Sequence, residues 1–236
     1  MEQICREIRV RGDLTLLQDA RFFPMTQDSV LLTDFAAPRL HGRGLDLGAG
    51  QGFLTVLTAL RATGAAFEGL ELLPGAAALA EENCRRAGLC VPVTAGDLRE
   101  LPAHFKGRFD FCLCNPPYYE ARRGKTAKTG TLAAARATGA GIGQVCRAAA
   151  LALKDRGRLF VCFPAGRLAA LARALSEHAL ELKILRFVRE REGAGASLLL
   201  AEAVKQGGEG LSVLPDLILR DGAGNHTEEY RRIYGE

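Results

Sequence analysis

Apolar and polar positions along the 236-residue chain settle into a regular alternation from residue 41 onward. Short apolar runs read as buried strands at residues 44–47, 66–72, 91–95, 109–114, 158–163, 182–188 and 197–204. Between them, residues 53–63, 74–87, 142–154 and 167–178 carry apolar residues at helical spacing. Strands alternating with helices predict a parallel sheet covered on both faces. The right-handed crossover rule then points to a doubly wound, mostly parallel α/β fold. The last two strands are separated only by the charged, glycine-containing stretch 189–196, which predicts an antiparallel final hairpin. Ahead of this pattern, residues 8–17 read as a short strand pair. Thr26-Gln27-Asp28-Ser29 reads as a helix start, with Val30, Leu31, Leu32 and Phe35 on its apolar face. Behind it come an extended stretch (211–220), a turn cluster (221–225) and a short helix (227–234). The organisation expected is an N-terminal extension packing on the core (1–40), a core domain (41–205) and a C-terminal extension of that domain (206–236). No internal repeat is visible.

Composition narrows this little. Hydrophobic residues make up 48% and charged residues 25%, which suits an ordinary globular domain. At this length roughly 70–75% of the unfolded chain's surface is buried, enough for a full core. The net charge of +4 permits a nucleic-acid partner without requiring one. Seven scattered cysteines match no zinc spacing and read as reduced, buried thiols of a cytoplasmic protein, with no metal expected. The start of the chain lacks a signal-peptide core, and no apolar run is long enough to span a bilayer.

Chemistry concentrates at the predicted strand ends. The strand at 109–114 runs into Asn115-Pro116-Pro117-Tyr118-Tyr119. The two prolines restrict Asn115 and Pro116 to extended conformations, so their carbonyls are held stiffly. The Asn115 amide adds an acceptor and two donors, and Tyr118 offers a stacking face. This is a clamp for a planar nitrogen-bearing group, as methyl transfer to an amino nitrogen needs. Asp46, Gly48, Ala49, Gly50 and Gly52 form an acidic, glycine-rich turn between strand and helix. Its G-x-G-x-G spacing differs from the dinucleotide fingerprint and suits the ends of a zwitterionic methionine. The same spacing disfavours a nicotinamide oxidoreductase. Glu71, with Leu72, ends the next strand, where a carboxylate can accept from both ribose hydroxyls of an adenosyl group. Asp97 can accept from the adenine amino group with Leu98 against the ring; a helix N-cap is the alternative role. Thr26 and Asp28 either reach the methionine end or cap a helix. Gly139-Ala140-Gly141-Ile142-Gly143 repeats the glycine spacing but follows no strand, and reads as a flexible lead into the next helix. The basic loop containing Arg122, Arg123, Lys125 and Lys128 offers cations for phosphates, or is simply solvated.

Over residues 25–205 these motifs resemble the class I S-adenosylmethionine-dependent methyltransferases. The resemblance implies a seven-stranded, Rossmann-like sheet with an antiparallel last strand. It implies S-adenosylmethionine bound by residues 46–52, Glu71 and Asp97, and Asn115, Pro116, Pro117 and Tyr118 at the reacting nitrogen. More narrowly, the chain is similar to the adenine-N6 methyltransferases acting on a valine tRNA. That similarity rests on Tyr118-Tyr119, on the segment from Thr26 to Leu32, and on the stretch from Asp221-Gly222 to Tyr230. It implies an RNA substrate contacted by Tyr118, Tyr119 and the basic loop. Residues 121–140 depart from the pattern of the relatives. A protein glutamine amide, ribosomal RNA and DNA are alternative substrates, and a cofactor-binding RNA-binding protein without catalysis is the non-enzyme alternative.

Overall fold

Apolar strands without alternation need cover on both faces, and the computed structural model, which describes residues 5–116 and 141–235, supplies it. The elements, in chain order, are β1 (Cys5–Arg11), β2 (Leu14–Asp19), α1 (Gln27–Ala36), β3 (Gly42–Leu47), α2 (Phe53–Arg61), β4 (Ala65–Glu71), α3 (Pro74–Arg86), β5 (Val93–Ala95) and β6 (Phe109–Cys114). After the undescribed stretch follow α4 (Ile142–Ala152), β7 (Leu153–Pro164), α5 (Leu168–Ser176), β8 (Leu180–Arg191), β9 (Ala196–Lys205), β10 (Ser212–Val213), β11 (Leu217–Arg220) and α6 (Glu228–Tyr234).

The main sheet runs β8-β9-β7-β6-β3-β4-β5, with β9 antiparallel to both of its neighbours and the remaining pairs parallel. These are the seven strands expected. The tail adds β10 and β11, which pair with β8 in parallel, so the described sheet has nine strands. Residues 189–191, expected in a loop, belong to β8. Arg189 and Arg191 continue the pairing against Ile218 and Arg220 of β11, and the Arg189 charge is met by Asp216.

Side chains of β6 show how the sheet is filled. Phe111 and Leu113 pack into one apolar layer with Leu31, Phe35, Val56 and Phe160. Cys112 and Cys114 point into the opposite layer with Val145, Ala149, Leu171 and Leu175. Helices α1 and α2 thus cover one face, and α4 and α5 the other. The hairpin β1–β2 is antiparallel and separate from the main sheet. Asn83 on α3 stands in for a strand neighbour: its side chain accepts from the Leu17 N–H at 2.7 Å and donates to the Leu17 carbonyl at 2.9 Å. The same amide donates to the Gln51 carbonyl at 2.8 Å, tying the hairpin to the turn after β3. At the far end of the chain α6 docks on α1 through a paired contact of Arg232 with Asp34, both bonds 3.0 Å. No helix among the described residues is long and apolar enough to cross a membrane.

Candidate active site

The chain enters the parallel part of the sheet at β3, builds β4 and β5 on one side, and returns to β6 on the other. Carboxyl ends of open sheets form ligand crevices where the winding reverses, here between β3 and β6. A cavity of about 280 Å³ lies there. Gly48, Ala49 and Gly50 form its floor after β3, Leu70 to Leu73 flank it after β4, Gly96 to Leu98 after β5, and Asn115 and Pro116 after β6. Thr26, Asp28 and Ser29 at the start of α1 close it opposite.

Strand β3 turns into α2 through a loop that folds back on β4. Gly48 and Ala49 both donate to the Leu70 carbonyl, at 2.8 and 3.1 Å. Gly50 sits at φ 56°, a left-handed value natural to glycine, and its N–H donates to Glu71 Oε2 at 2.8 Å. The Leu73 N–H donates to Glu71 Oε1 at 3.0 Å, so both carboxylate oxygens are held on backbone donors. Burial pushes the Glu71 carboxyl above its usual range, opposed by these backbone bonds. After β5, Asp97 opens a short 3₁₀ turn and accepts the Arg99 N–H at 2.8 Å. The Arg99 guanidinium grips both of its oxygens and holds the carboxyl below its usual range. Asp97 therefore lines the cavity and also caps a turn; the two roles proposed from sequence are compatible.

Two residues of the glycine motif lie elsewhere than expected. Asp46 does not line the cavity. It is fully buried beneath the loop, where Oδ2 accepts from the Thr55 hydroxyl at 2.6 Å. Burial, together with the nearby Glu71 charge and against the Thr55 bond, pushes its carboxyl up to about 7. Gly52 is not a wall either. It is the N-cap of α2 at φ 83°, and a Cβ there would lie 2.9 Å from the Ala80 Cα, so the position serves the close packing of α2 on α3.

At the opposite wall the Asn115 side chain is engaged at both ends of its amide. Its Nδ2 donates to the hydroxyls of Ser29 at 3.0 Å and Thr26 at 3.3 Å. Its Oδ1 accepts from the Cys162 thiol at 3.1 Å. Thr26 is the N-cap residue of α1 by position, yet its hydroxyl makes no cap bond and faces Asn115 instead. Pro117, Tyr118, Tyr119, Arg122, Arg123, Lys125 and Lys128 lie outside the described residues. Within them, Gly141 caps α4, its N–H donating to the Gln144 side chain at 3.0 Å.

Sequence reasoning missed several cavity residues. Phe22, Phe23 and Pro24 form a wall, brought there by Gln51, which accepts from the Asp19 N–H at 2.7 Å and donates to the Phe23 carbonyl at 2.6 Å. The adjacent aromatics just ahead of a helix start were the available signal. Ser29 was findable from its i,i+3 spacing to Thr26, which places both on one helix face. Cys162 carried no signal at all.

The family model of the methyltransferase small domain matches residues 26–167, a span holding the whole cavity except its Phe22–Pro24 wall. The chain belongs to the methyltransferase small domain family. The tRNA1(Val) (adenine(37)-N6)-methyltransferase of Shewanella sp. (strain MR-4) is 31% identical over 218 residues, covering 87% of this chain and 88% of the relative. The release factor glutamine methyltransferase of Bordetella pertussis is 41% identical over 96 residues, 39% of this chain and 35% of that one. The crystal structure of a predicted O-methyltransferase from Agrobacterium tumefaciens superposes with a TM-score of 0.70 over 89% of this chain and 96% of its own, at 19% identity. That likeness shows the Rossmann-like fold. Like its family, the chain is an S-adenosylmethionine-dependent methyltransferase. The cavity fits that cofactor: two anchored carboxylates, Glu71 and Asp97, line it as acceptors, and the glycine loop lets backbone approach closely.

Proposed function

We propose that this methyltransferase transfers a methyl group to the exocyclic N6 amino group of an adenine in RNA, its substrate a tRNA. The observation that carries this reading is the polarity of Asn115. Its Nδ2 meets the hydroxyls of Thr26 and Ser29 and its Oδ1 accepts from the Cys162 thiol, so the amide is turned to offer a guest its acceptor end. A guest that must donate is an amino or amide nitrogen. The full-length relative named for adenine-N6 methylation of tRNA selects adenine.

S-adenosylmethionine supplies an electrophilic methyl group when bound. Glu71 accepts the ribose hydroxyls, Asp97 accepts the adenine amino group of the cofactor, and Leu72 and Leu98 flank its ring. The glycine loop of Gly48 to Gly50, with Thr26, takes the methionine end. The target adenine enters flipped out of its stack. Asn115 Oδ1 and the Pro116 carbonyl accept its amino hydrogens and draw the nitrogen from planar toward tetrahedral, freeing its lone pair. The proton leaves once the nitrogen is cationic, so no strong base is needed. Positioning of this kind supplies on the order of 7–11 kcal/mol. In this reading Tyr118 stacks on the base, worth ~1–3 kcal/mol, and the basic residues after Tyr119 meet RNA phosphates.

A second reading, methylation of a glutamine amide in a protein, draws on the Bordetella relative, whose match spans only part of each chain. Incubation with methyl-labelled S-adenosylmethionine and, separately, total tRNA, ribosomal RNA and protein extract decides between them. Label in tRNA, released as N6-methyladenosine on digestion, is the expected outcome. Label confined to ribosomal RNA or to protein overturns the tRNA assignment.

A further inference from the structure

The Asn115 amide is useful only if its oxygen, not its nitrogen, is offered to the guest. Nothing in the amide's shape enforces that, because its two ends are nearly the same size. The two hydroxyls on α1 do not enforce it either. A hydroxyl donates as readily as it accepts, so Ser29 and Thr26 can serve the amide in either orientation. The contact with Cys162, by contrast, favours one orientation. Cys162 sits on β7, one position past the pairing of Cys114 with Val161, and so lies beside Asn115 across the sheet. Its side chain is fully buried, and its thiol donates to Asn115 Oδ1 at 3.1 Å. Sulfur is a weak acceptor, whereas an amide oxygen accepts well even from a weak S–H donor. Turning the amide over would set an N–H against sulfur in a buried site, where a poorly matched polar group is costly.

We propose that Cys162 is a positioning residue that fixes the orientation of the Asn115 amide, and with it the acceptor presented to the reacting nitrogen. This rests on the assignment of Asn115 as that acceptor. The thiol touches neither cofactor nor guest; it acts through Asn115. It also lies outside the cavity wall, so its effect separates from cofactor binding.

The test compares Cys162→Ala, Cys162→Ser and Asn115→Ala, using labelled S-adenosylmethionine and whichever RNA or protein extract takes up label from the unaltered enzyme. Single-turnover rate, cofactor affinity by titration calorimetry and melting temperature are measured for each. With the bias gone the amide populates both orientations about equally, so the rate for Cys162→Ala falls roughly twofold, with cofactor affinity unchanged. Cys162→Ser, whose hydroxyl donates or accepts alike, leaves the tie unbroken and falls by the same roughly twofold, again with cofactor affinity unchanged. A Cys162→Ala enzyme as fast as the original, beside an inactive Asn115→Ala, overturns the proposal and leaves the functional reading standing. Equal losses in Ala and Ser, accompanied by weaker cofactor binding and a lower melting temperature, overturn it in favour of simple packing. An Asn115→Ala enzyme with unreduced rate overturns both the proposal and the reading beneath it.

Discussion

The two walls of the cavity are built on different principles. On the side we assign to the cofactor, anchoring is mostly short-range. Glu71 is held by Leu73, two residues on, and by Gly50, 21 positions back in the turn after β3; Asp97 is held by Arg99, again two residues on. On the guest side, Asn115 is held by Thr26, Ser29 and Cys162, which lie 89, 86 and 47 positions away. The paired strands β3 to β5 and their turns therefore suffice for the first wall, while the second exists only when α1, β6 and β7 have all docked. The cofactor wall relies on backbone donors, which only proline at the donor position removes, joined at Asp97 by the Arg99 side chain. The guest wall relies on side chains, each of which can be lost singly.

The strongest way to break this contrast is Asn115→Ala. It removes the acceptor from the guest wall and leaves the cofactor wall intact. Single-turnover methyl transfer should fall by roughly a thousandfold, on the scale of deleting one preorganised polar group from an active site. Cofactor affinity, read by calorimetry, should stay within a few fold. A variant that loses cofactor binding but turns over normally once loaded would reverse the assignment of the two walls.

Asp46→Asn probes the foundation under the cofactor wall. The Asp46 carboxyl is raised from 3.8 to about 7 by burial, so the folded protein holds a proton there that the unfolded chain has already released. Between those values the native state binds more protons than the unfolded one, and stability falls as pH rises. This contribution is fully present below about pH 4 and lost as pH passes through about 7. Its size is on the order of 4 kcal/mol, at about 1.4 kcal/mol per pKa unit. Melting curves from pH 5 to 8 should show a shallower decline for Asp46→Asn than for the original chain. Glu71, also raised by burial, keeps part of the slope in both proteins. Parallel declines would mean that Asp46 does not carry this proton.

The difference between the walls also explains what could be read from sequence. Strand ends, glycine turns and the acids behind them are short-range patterns, so β3 to β6 and the placement of Glu71 and Asp97 at the cavity were legible. Asp46 and Gly52 were misplaced because spacing shows that a turn is special without showing which face of it meets the ligand. The pleat sends Asp46 down toward Thr55, and Gly52 is spent on Ala80. The partners of Asn115 were not legible, since no local pattern ties a cysteine in the middle of β7 to an asparagine after β6. The tail was half legible: 211–220 read as extended, but pairing with β8 is decided by an open sheet edge that the segment itself does not encode.

Arg99→Ala sharpens the comparison from its weak end. Arg99 makes more bonds to Asp97 than Cys162 makes to Asn115, and they are ionic. Yet its side chain is 41% exposed, whereas Cys162 is fully buried. Water screens the exposed pair, and such pairs contribute only about 0–1 kcal/mol. The Asp97 carboxyl, held low mainly by the Arg99 side chain, rises toward its ordinary value in the variant and remains ionised at neutral pH. Its backbone bond to residue 99 also survives the substitution. Cofactor affinity at pH 7 should therefore weaken by less than about fivefold. The ranking is the informative result. Losing the Asn115 acceptor should matter far more to turnover than losing this gripping surface ion pair matters to binding. If calorimetry shows Arg99→Ala losing fiftyfold or more in cofactor affinity, the cofactor wall depends on that side chain, and its description as locally and redundantly anchored fails.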